Sequence, residues 1–453
     1  MFVLQRKVKL LKPILKVWNI NVFGNIHTNV DNARAVLEKI QLAISLEGLT
    51  EARRVEKLLA HDGLTNVLSI QENFWADKVR VRWVKEGDRN TSYFHTLAKI
   101  RRARSFITSL CIGNDLVDDV NILRSHVVEH FTTAFLDDGN IRETGLVENV
   151  IPSVVSYSEN DSLLAIPTAD EVKNVVFSMN ADSAPGKDGY TGHFFQACWD
   201  VVGLDVIGAI KSFFQTGYIL PNLNSNFVAL IPKVQEADVI TQFQPIAMAN
   251  FSFKIITRIL ADRLAPIASR IILPNQFAFL KEWISSILSS ARLSILFNGS
   301  LVGFFGCSHG VRQGDPLSPL LFCLAEEVLS RGILRLVDMG RIHNISSPRA
   351  VKVPSHVLFA DDIMVFCKGD KRSLVNLMGF FEKYGLNSGQ LVNKSKSLVY
   401  LGKPAIHRRA LIYSWLGVPM GKFPFMYLGV PIFVIDLSVS TSKSWLIEFV
   451  MQF

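Results

Sequence analysis

Apolar positions recur at three- and four-residue spacing early in the chain, as in Val36, Ile40, Ala43 and Ile44, and no long alternating run interrupts them. This pattern predicts a mostly helical first hundred residues. After Thr108 the polar turn IGNDLVDD precedes a helix through HVVEHF, and IPSVVSYSENDS reads as a link. Thr168 opens TADEV, a Ser/Thr-x-x-Glu capping box that starts a helix near Ala169. From there short strands alternate with helices. FVALIPKV, Phe227 to Val234, is a strand, and RLSILFNGSLVGFF is a hairpin turning at Asn298-Gly299. Ser318-Pro319 places a serine at the N-cap and a proline at the first helical position of LLFCLAEEVLSRGILRLV. HVLFADDIMVFCK reads as two strands that meet at Asp361 and Asp362, followed by a helix around EKYGL and the strand SLVYLG. There is no internal repeat and no low-complexity tract.

The length, 453 residues, suits roughly two to four domains or one multi-lobed one. With 49% hydrophobic residues and a mean hydropathy of +0.25, the chain can bury a sizeable core. No apolar run approaches the roughly eighteen residues of a membrane span. The opening MFVLQRKVKLLKPILKVW interleaves charges with apolar residues instead of separating them as a signal peptide does. The expectation is an intracellular protein, nuclear or cytoplasmic, without a membrane partner. Cys111, Cys198, Cys307, Cys323 and Cys367 are scattered, odd in number and never paired as CxxC, so neither a disulfide framework nor a zinc knuckle is supported.

The placement of charge says more than its total of +8. Residues 1–105 carry 19 Lys+Arg against 10 Asp+Glu, a net of +9, while the remainder is nearly balanced. The densest part is Lys78 to Ser105, where Lys78, Arg80, Arg82, Lys85, Arg89, Lys99, Arg101, Arg102 and Arg104 interleave with Trp83, Tyr93 and Phe94. Cations with aromatics between them suit a nucleic-acid backbone and its bases. A solvated helix face is the alternative reading.

Asp361 and Asp362 form the sharpest chemical signal. Two adjacent carboxylates repel, and when partly desolvated they need a cation or a shared proton. A hard divalent ion such as Mg²⁺ prefers carboxylate oxygens and shares them with phosphates. An exposed hairpin tip is the alternative. HVVEH, His126 to His130, matches an inverted zinc-peptidase pattern with Glu129 as the base, but the sequence offers no evident third ligand.

Further stretches occur in order around that pair: SAPGKDGYTGHFFQACW, FVALIPKV with QPIAMANFSFKIITRILADRL, HGVRQGDPLSPLLF, SGQLVNKSKSLVYLG and FMYLGVPIF. Together with FADD, and with WADKVRVRWVKEGDRNTSYFH upstream, they resemble the reverse transcriptase of plant LINE-type non-LTR retrotransposons over almost the whole chain. The resemblance implies an α+β right-hand polymerase, with helical fingers and an antiparallel palm sheet. It implies two Mg²⁺ ions that activate a primer 3′-hydroxyl and stabilise the leaving pyrophosphate, with an RNA template and a DNA primer as partners. By the same resemblance Asp361 and Asp362 are the catalytic metal ligands and Lys396 is a general acid. Lys233, Gln244, Gln313 and Gly314 line the nucleotide site, and Tyr427, Leu428, Gly429 and Val430 form a primer grip. The implied organisation is a basic helical extension over 1–110, a helix and linker over 111–165, fingers and palm over 166–435, and the start of a truncated thumb over 436–453. On this reading the chain is expected to lack the family's upstream endonuclease module.

Two departures from the family pattern matter. The family carries K-x-D-x-x-K-A-[FY]-D, with its first catalytic aspartate, between the fingers and the ILFNGS strand. Here the chain runs across Leu280 to Trp283 without it, and Glu282 is the only acidic residue between Asp262 and Asp315. The family's F-R-P-I is Phe243-Gln244-Pro245-Ile246, and a neutral amide cannot replace a guanidinium fork on phosphate. The palm is therefore expected to be incomplete, with at most a partial Mg²⁺ site and no polymerisation. A non-catalytic nucleic-acid-binding protein using the basic segment, and a zinc peptidase at HVVEH, are the alternatives.

Overall fold

The computed structural model describes residues 1–79, 100, 106–136, 142, 144–151, 155–271, 280–307, 310–345, 353–359, 362–401, 407–427, 430–432 and 447–452. Helices and sheets are mixed, as an α+β chain requires. Helices Phe2–Trp18, Ile26–Glu47 and Glu51–Val79 occupy the region whose spacing predicts them. The helix Ala169–Ser178 starts where the capping box places it, with the Thr168 hydroxyl accepting the Glu171 N–H at 3.1 Å.

The fold divides into two compact units. The first gathers Met1–Thr132, Ile166–Ile255 and Ser290–Phe305. Its sheet has the order Phe243–Met248, Ser225–Pro232, Arg292–Phe297, Ser300–Gly306. Ser225–Pro232 pairs antiparallel with the first of these and parallel with Arg292–Phe297. The hairpin turns at Asn298 and Gly299, with φ of 47° and 84°, the left-handed pair that a two-residue turn demands. The Asn298 side chain also works at long range, accepting the Ile107 N–H at 2.9 Å and donating to the Ile107 carbonyl at 2.8 Å.

The glycine-rich turn SAPGKDG is held in the same unit by Asn250, which is nearly fully buried. Its amide oxygen accepts the Asp188 N–H at 3.0 Å and its amide nitrogen donates to the Leu223 carbonyl at 2.9 Å. Gly186 lies flat on this corner, and a Cβ there would stand 2.4 Å from the Asn250 nitrogen. The first helix rests on the same turn: Tyr190 Oη donates to the Val8 carbonyl at 3.0 Å and Lys12 Nζ to the Asp188 carbonyl at 3.0 Å.

The second unit gathers Thr133–Ala165, Ile256–Ser289 and Gly306–Phe453. Its sheet has the order His356–Phe359, Asp362–Phe366, Ile447–Gln452, Leu398–Leu401, antiparallel throughout. Ile363, Val365 and Cys367 point to a core shared with Val328, Leu329 and Ile333 of helix Ser318–Asp338 and with Leu374, Leu377 and Phe381 of helix Lys371–Ser388. Residues 447–452, which the sequence reading assigns to a thumb, pair between the strand of Asp362 and Leu398–Leu401. The helix after the QGDP loop begins one residue earlier than its sequence suggests. Leu317 is the cap and Ser318 the first helical residue, because the Asp315 carboxylate takes the Leu317 N–H at 3.0 Å and supplies the cap that Ser318 was expected to give.

Gly186→Ala should destabilise the protein by about 1–3 kcal/mol, since backbone rather than a movable side chain blocks the new methyl. Gly208→Ala, in open space on helix Trp199–Thr216, should be neutral or stabilising by up to about 1 kcal/mol. Urea unfolding of the two variants checks the contrast.

Candidate functional site

Strand alternation fixes the candidate carboxylate. Because Ile363 and Val365 enter the core, Asp362, Met364 and Phe366 take the opposite face of the sheet. On the neighbouring strands Gln452 is in register with Asp362, and Tyr400 lies in the same cross-strand row as Phe366. Tyr400 is covered by Phe425 of strand Phe425–Tyr427, the rings stacked 3.9 Å apart. The pair Phe425–Tyr427 and Val430–Ile432 therefore lies on the Asp362 side. Tyr427, two residues beyond Phe425, faces the same way. Burial, and then the charge of Asp362, push the Tyr427 phenol above its ordinary value.

Asp362 Oδ1 is buried and has no hydrogen-bond partner, and the same holds for Tyr427 Oη. An unsatisfied buried carboxylate oxygen costs free energy unless a mobile species completes it. Its chemistry fits a hard divalent cation, which needs one or two carboxylates and otherwise keeps water or phosphate oxygens. Asp361 and Ala360 lie outside the described residues. Among the described residues no group of three His, Cys, Asp or Glu gathers at one point.

That holds for HVVEH too. His126 and His130 sit one turn apart on helix Val120–Phe135, ring centroids 6.5 Å apart, and no third ligand joins them among the described residues. Burial, and then the neighbouring His126, lower the His130 pKa.

The loop before helix Ser318–Asp338 is built on a buried ion pair. Arg312 and Asp315 have side chains 4% and 3% exposed, with Arg312 Nη2 3.3 Å from Asp315 Oδ2. Burial lowers the Arg312 pKa, and Asp315 opposes that shift. With these two residues turned inward, Gln313 and Gly314 occupy the exposed tip, and Gly314 adopts a φ of 104° that suits glycine. The sequence shows the Arg-x-x-Asp spacing, but its burial was not legible there. His356, at the start of the strand before Asp361, bridges two serines: Nε2 lies 2.9 Å from Ser330 Oγ and Nδ1 2.9 Å from Ser355 Oγ. It ties the aspartate hairpin to helix Ser318–Asp338, and burial lowers its pKa.

The remaining sequence-named residues are dispersed. Lys396 is exposed in a turn, its N–H donated to Asn393 Oδ1 at 3.2 Å, just before strand Leu398–Leu401. Val430 is exposed and paired with Tyr427, while Leu428 and Gly429 lie outside the described residues. Lys233 and Gln244 belong to the first unit. The exposed Lys233 ammonium donates to the Thr241 carbonyl at 3.3 Å, and Gln244 is half-buried opposite Ile231. Of the basic set, Arg80, Arg82, Lys85, Arg89, Arg101, Arg102 and Arg104 lie outside the described residues, as does the side chain of Lys78.

Asp315→Ala should cost about 3–5 kcal/mol, because it removes the carboxylate that faces the buried Arg312 and accepts the Leu317 N–H. Arg312→Met in the same chain should recover part of that loss. Denaturant midpoints of the single and double variants test the pairing.

Residues 277–432 match the family model described as reverse transcriptase (RNA-dependent DNA polymerase). The chain is 23% identical over 449 residues to the transposon TX1 uncharacterized 149 kDa protein of Xenopus laevis, covering 85% of this chain and 34% of that protein. It is 46% identical over 74 residues to an uncharacterized mitochondrial protein of Arabidopsis thaliana, covering 16% of this chain and 57% of that one. The chain thus spans about a third and somewhat over half of these two relatives. Asp362 and its hairpin, the QGDP loop and the Tyr427 strand all fall inside the matched span, so the candidate site lies within a reverse transcriptase domain over residues 277–432.

Proposed function

We propose that the chain is the fingers and palm of a plant LINE-type non-LTR reverse transcriptase that binds nucleic acid but does not polymerise it. In this reading the basic extension is residues 1–110, the linker 111–165, and fingers and palm 166–435. Asp361 and Asp362 are the residues that would hold Mg²⁺, whose chemistry is to activate a primer 3′-hydroxyl and to neutralise charge on the triphosphate. Asp362 contributes a buried, uncommitted oxygen, and its strand is held by core packing on the opposite face. Gln313 and Gly314 offer an exposed loop tip to nucleotide and template, and Lys396 stands as the general acid. Tyr427 to Val430 is the primer grip, and the strand of Tyr427 lies on the aspartate's side of the sheet.

The observation that carries the inactivity is the neighbour of Asp362. On the side away from its hairpin partner, its strand pairs with Ile447–Gln452, and Gln452 occupies the register position of Asp362. The strand that follows the Leu280 to Trp283 join, Arg292–Phe297, pairs instead with Ser225–Pro232 in the other sheet. The strands flanking Asp362–Phe366 carry no second aspartate to share two ions with Asp361, and their one acidic residue, Glu448, stands in the register position of Phe366, at the far end of the strand from Asp362. Gln244 in place of arginine weakens triphosphate binding independently.

Nucleic-acid binding is retained through the basic segment that includes Lys78, Arg80, Arg82, Lys85, Arg89, Arg101, Arg102 and Arg104. Among the described residues no helix is long and apolar enough to cross a membrane.

On a primed RNA template with Mg²⁺ or Mn²⁺, the purified chain should extend no primer. Extension above that of an Asp361→Ala, Asp362→Ala double variant would overturn the inactivity. RNA binding should weaken steeply as salt rises, because bound cations displace counterions, and replacing Arg80, Arg82, Arg101 and Arg102 by alanine should flatten the salt slope by about 3 to 4. Fluorescence anisotropy from 50 to 300 mM salt, roughly the range over which counterion release is read, measures both.

A further inference from the structure

On the proposed palm reading, Tyr427 belongs to a primer grip and has no assigned part in metal binding. Its surroundings argue for one. The phenol is carried by strand Phe425–Tyr427, whose Phe425 is anchored by stacking on Tyr400 at 3.9 Å and by Phe423 at 5.6 Å. Gly421 permits this anchoring, because a Cβ there would lie 2.3 Å from the Tyr400 ring. With Phe425 fixed against the sheet, Tyr427 is delivered to the face that bears Asp362.

Two oxygens meet the protein interior there with nothing to bond to: Asp362 Oδ1, which can only accept, and Tyr427 Oη, which can donate and accept. The two are not bonded to each other, although both stand on the same side of the sheet. A water alone would satisfy each hydrogen-bonding group but would leave the carboxylate charge uncompensated in a partly buried place. A divalent ion that keeps part of its water shell answers both needs, with the carboxylate as ligand and the phenol bonded to the ion's water. The charge of Asp362 is already felt at the phenol.

We propose that Tyr427 is a positioning residue for divalent-cation binding at Asp362, acting through ion-bound water rather than by direct ligation. This rests on the palm reading above. It makes the primer-grip strand part of the cation site, so that ion occupancy and the seating of that strand are coupled.

The test uses the full chain and Mn²⁺ as the probe. Free Mn²⁺ is followed by electron paramagnetic resonance, and the melting temperature is recorded with and without the ion. Tyr427→Phe removes only Oη and keeps the ring. It should weaken Mn²⁺ binding about tenfold, the usual scale for a lost partner of a metal ligand, and shrink the Mn²⁺-induced rise in melting temperature. The metal-free melting temperature should stay level or rise, because an unpartnered buried hydroxyl has been removed. Tyr413→Phe, on an exposed ring of helix Arg409–Leu416, should change nothing. Asp362→Asn should abolish the binding. If Asp362→Asn abolishes it and Tyr427→Phe leaves it unchanged, the role of Tyr427 is overturned while the palm reading stands. The role of Tyr427 is also overturned if Tyr427→Phe lowers the metal-free melting temperature as much as the metal-loaded one, since its effect is then structural. If the parent chain binds no Mn²⁺, or binds it equally after Asp362→Asn, both the palm reading and the inference fall.

Discussion

Strand alternation under burial is the constraint on which the second unit depends. Once Ile363, Val365 and Cys367 are driven into the core beside Leu329, Ile333, Leu374 and Phe381, the opposite face of the strand has no freedom left, and Asp362 must stand on it. A one-residue slip would exchange the two sets and place a carboxylate in the core, so the hydrophobic contacts enforce the position of the chemistry. Even Cys367 fits this account: burial pushes its thiol far up and leaves it an inert apolar filler.

The polar elements near this strand are held the same way, by burial of one partner so that another is displayed. Arg312 and Asp315 turn inward as a pair and cap a helix, leaving Gln313 and Gly314 at the tip. His356 is bracketed by Ser330 and Ser355, which fixes where the aspartate hairpin leaves helix Ser318–Asp338. In the first unit Asn250 and Asn298 serve as local splints, each using both ends of its amide to hold a loop that contributes no regular pairing of its own. Buried amides tolerate this because both donor and acceptor find partners.

The sheet around Asp362 carries the functional argument further than the motifs do. A reverse transcriptase domain is recognised over residues 277–432, yet the strand paired with Asp362–Phe366 on its inner side comes from residues 447–452, with Gln452 in the register position of Asp362. Aromatic stacking brings the strand of Tyr427 over the same face.

Much was legible in the sequence because it depends on neighbours in the chain. The helical N-terminal region, the Thr168 cap, the Asn298-Gly299 turn and the paired strands around Asp361 and Asp362 all follow from periodicity, capping chemistry and backbone preference acting over a few residues. The order of the motifs pointed to the polymerase family, and composition located the basic segment. Tertiary structure decided what depends on distant partners. It set the cap of helix Ser318–Asp338 at Leu317, because Asp315 was drawn inward by Arg312, and it paired Arg292–Phe297 with Ser225–Pro232. It also put Ile447–Gln452 beside Asp362 and brought Tyr427 over the same face. Strand partners and buried ion pairs are chosen by which surfaces meet after collapse, and residues some ninety positions apart, such as Asp362 and Gln452, leave no local trace of that choice.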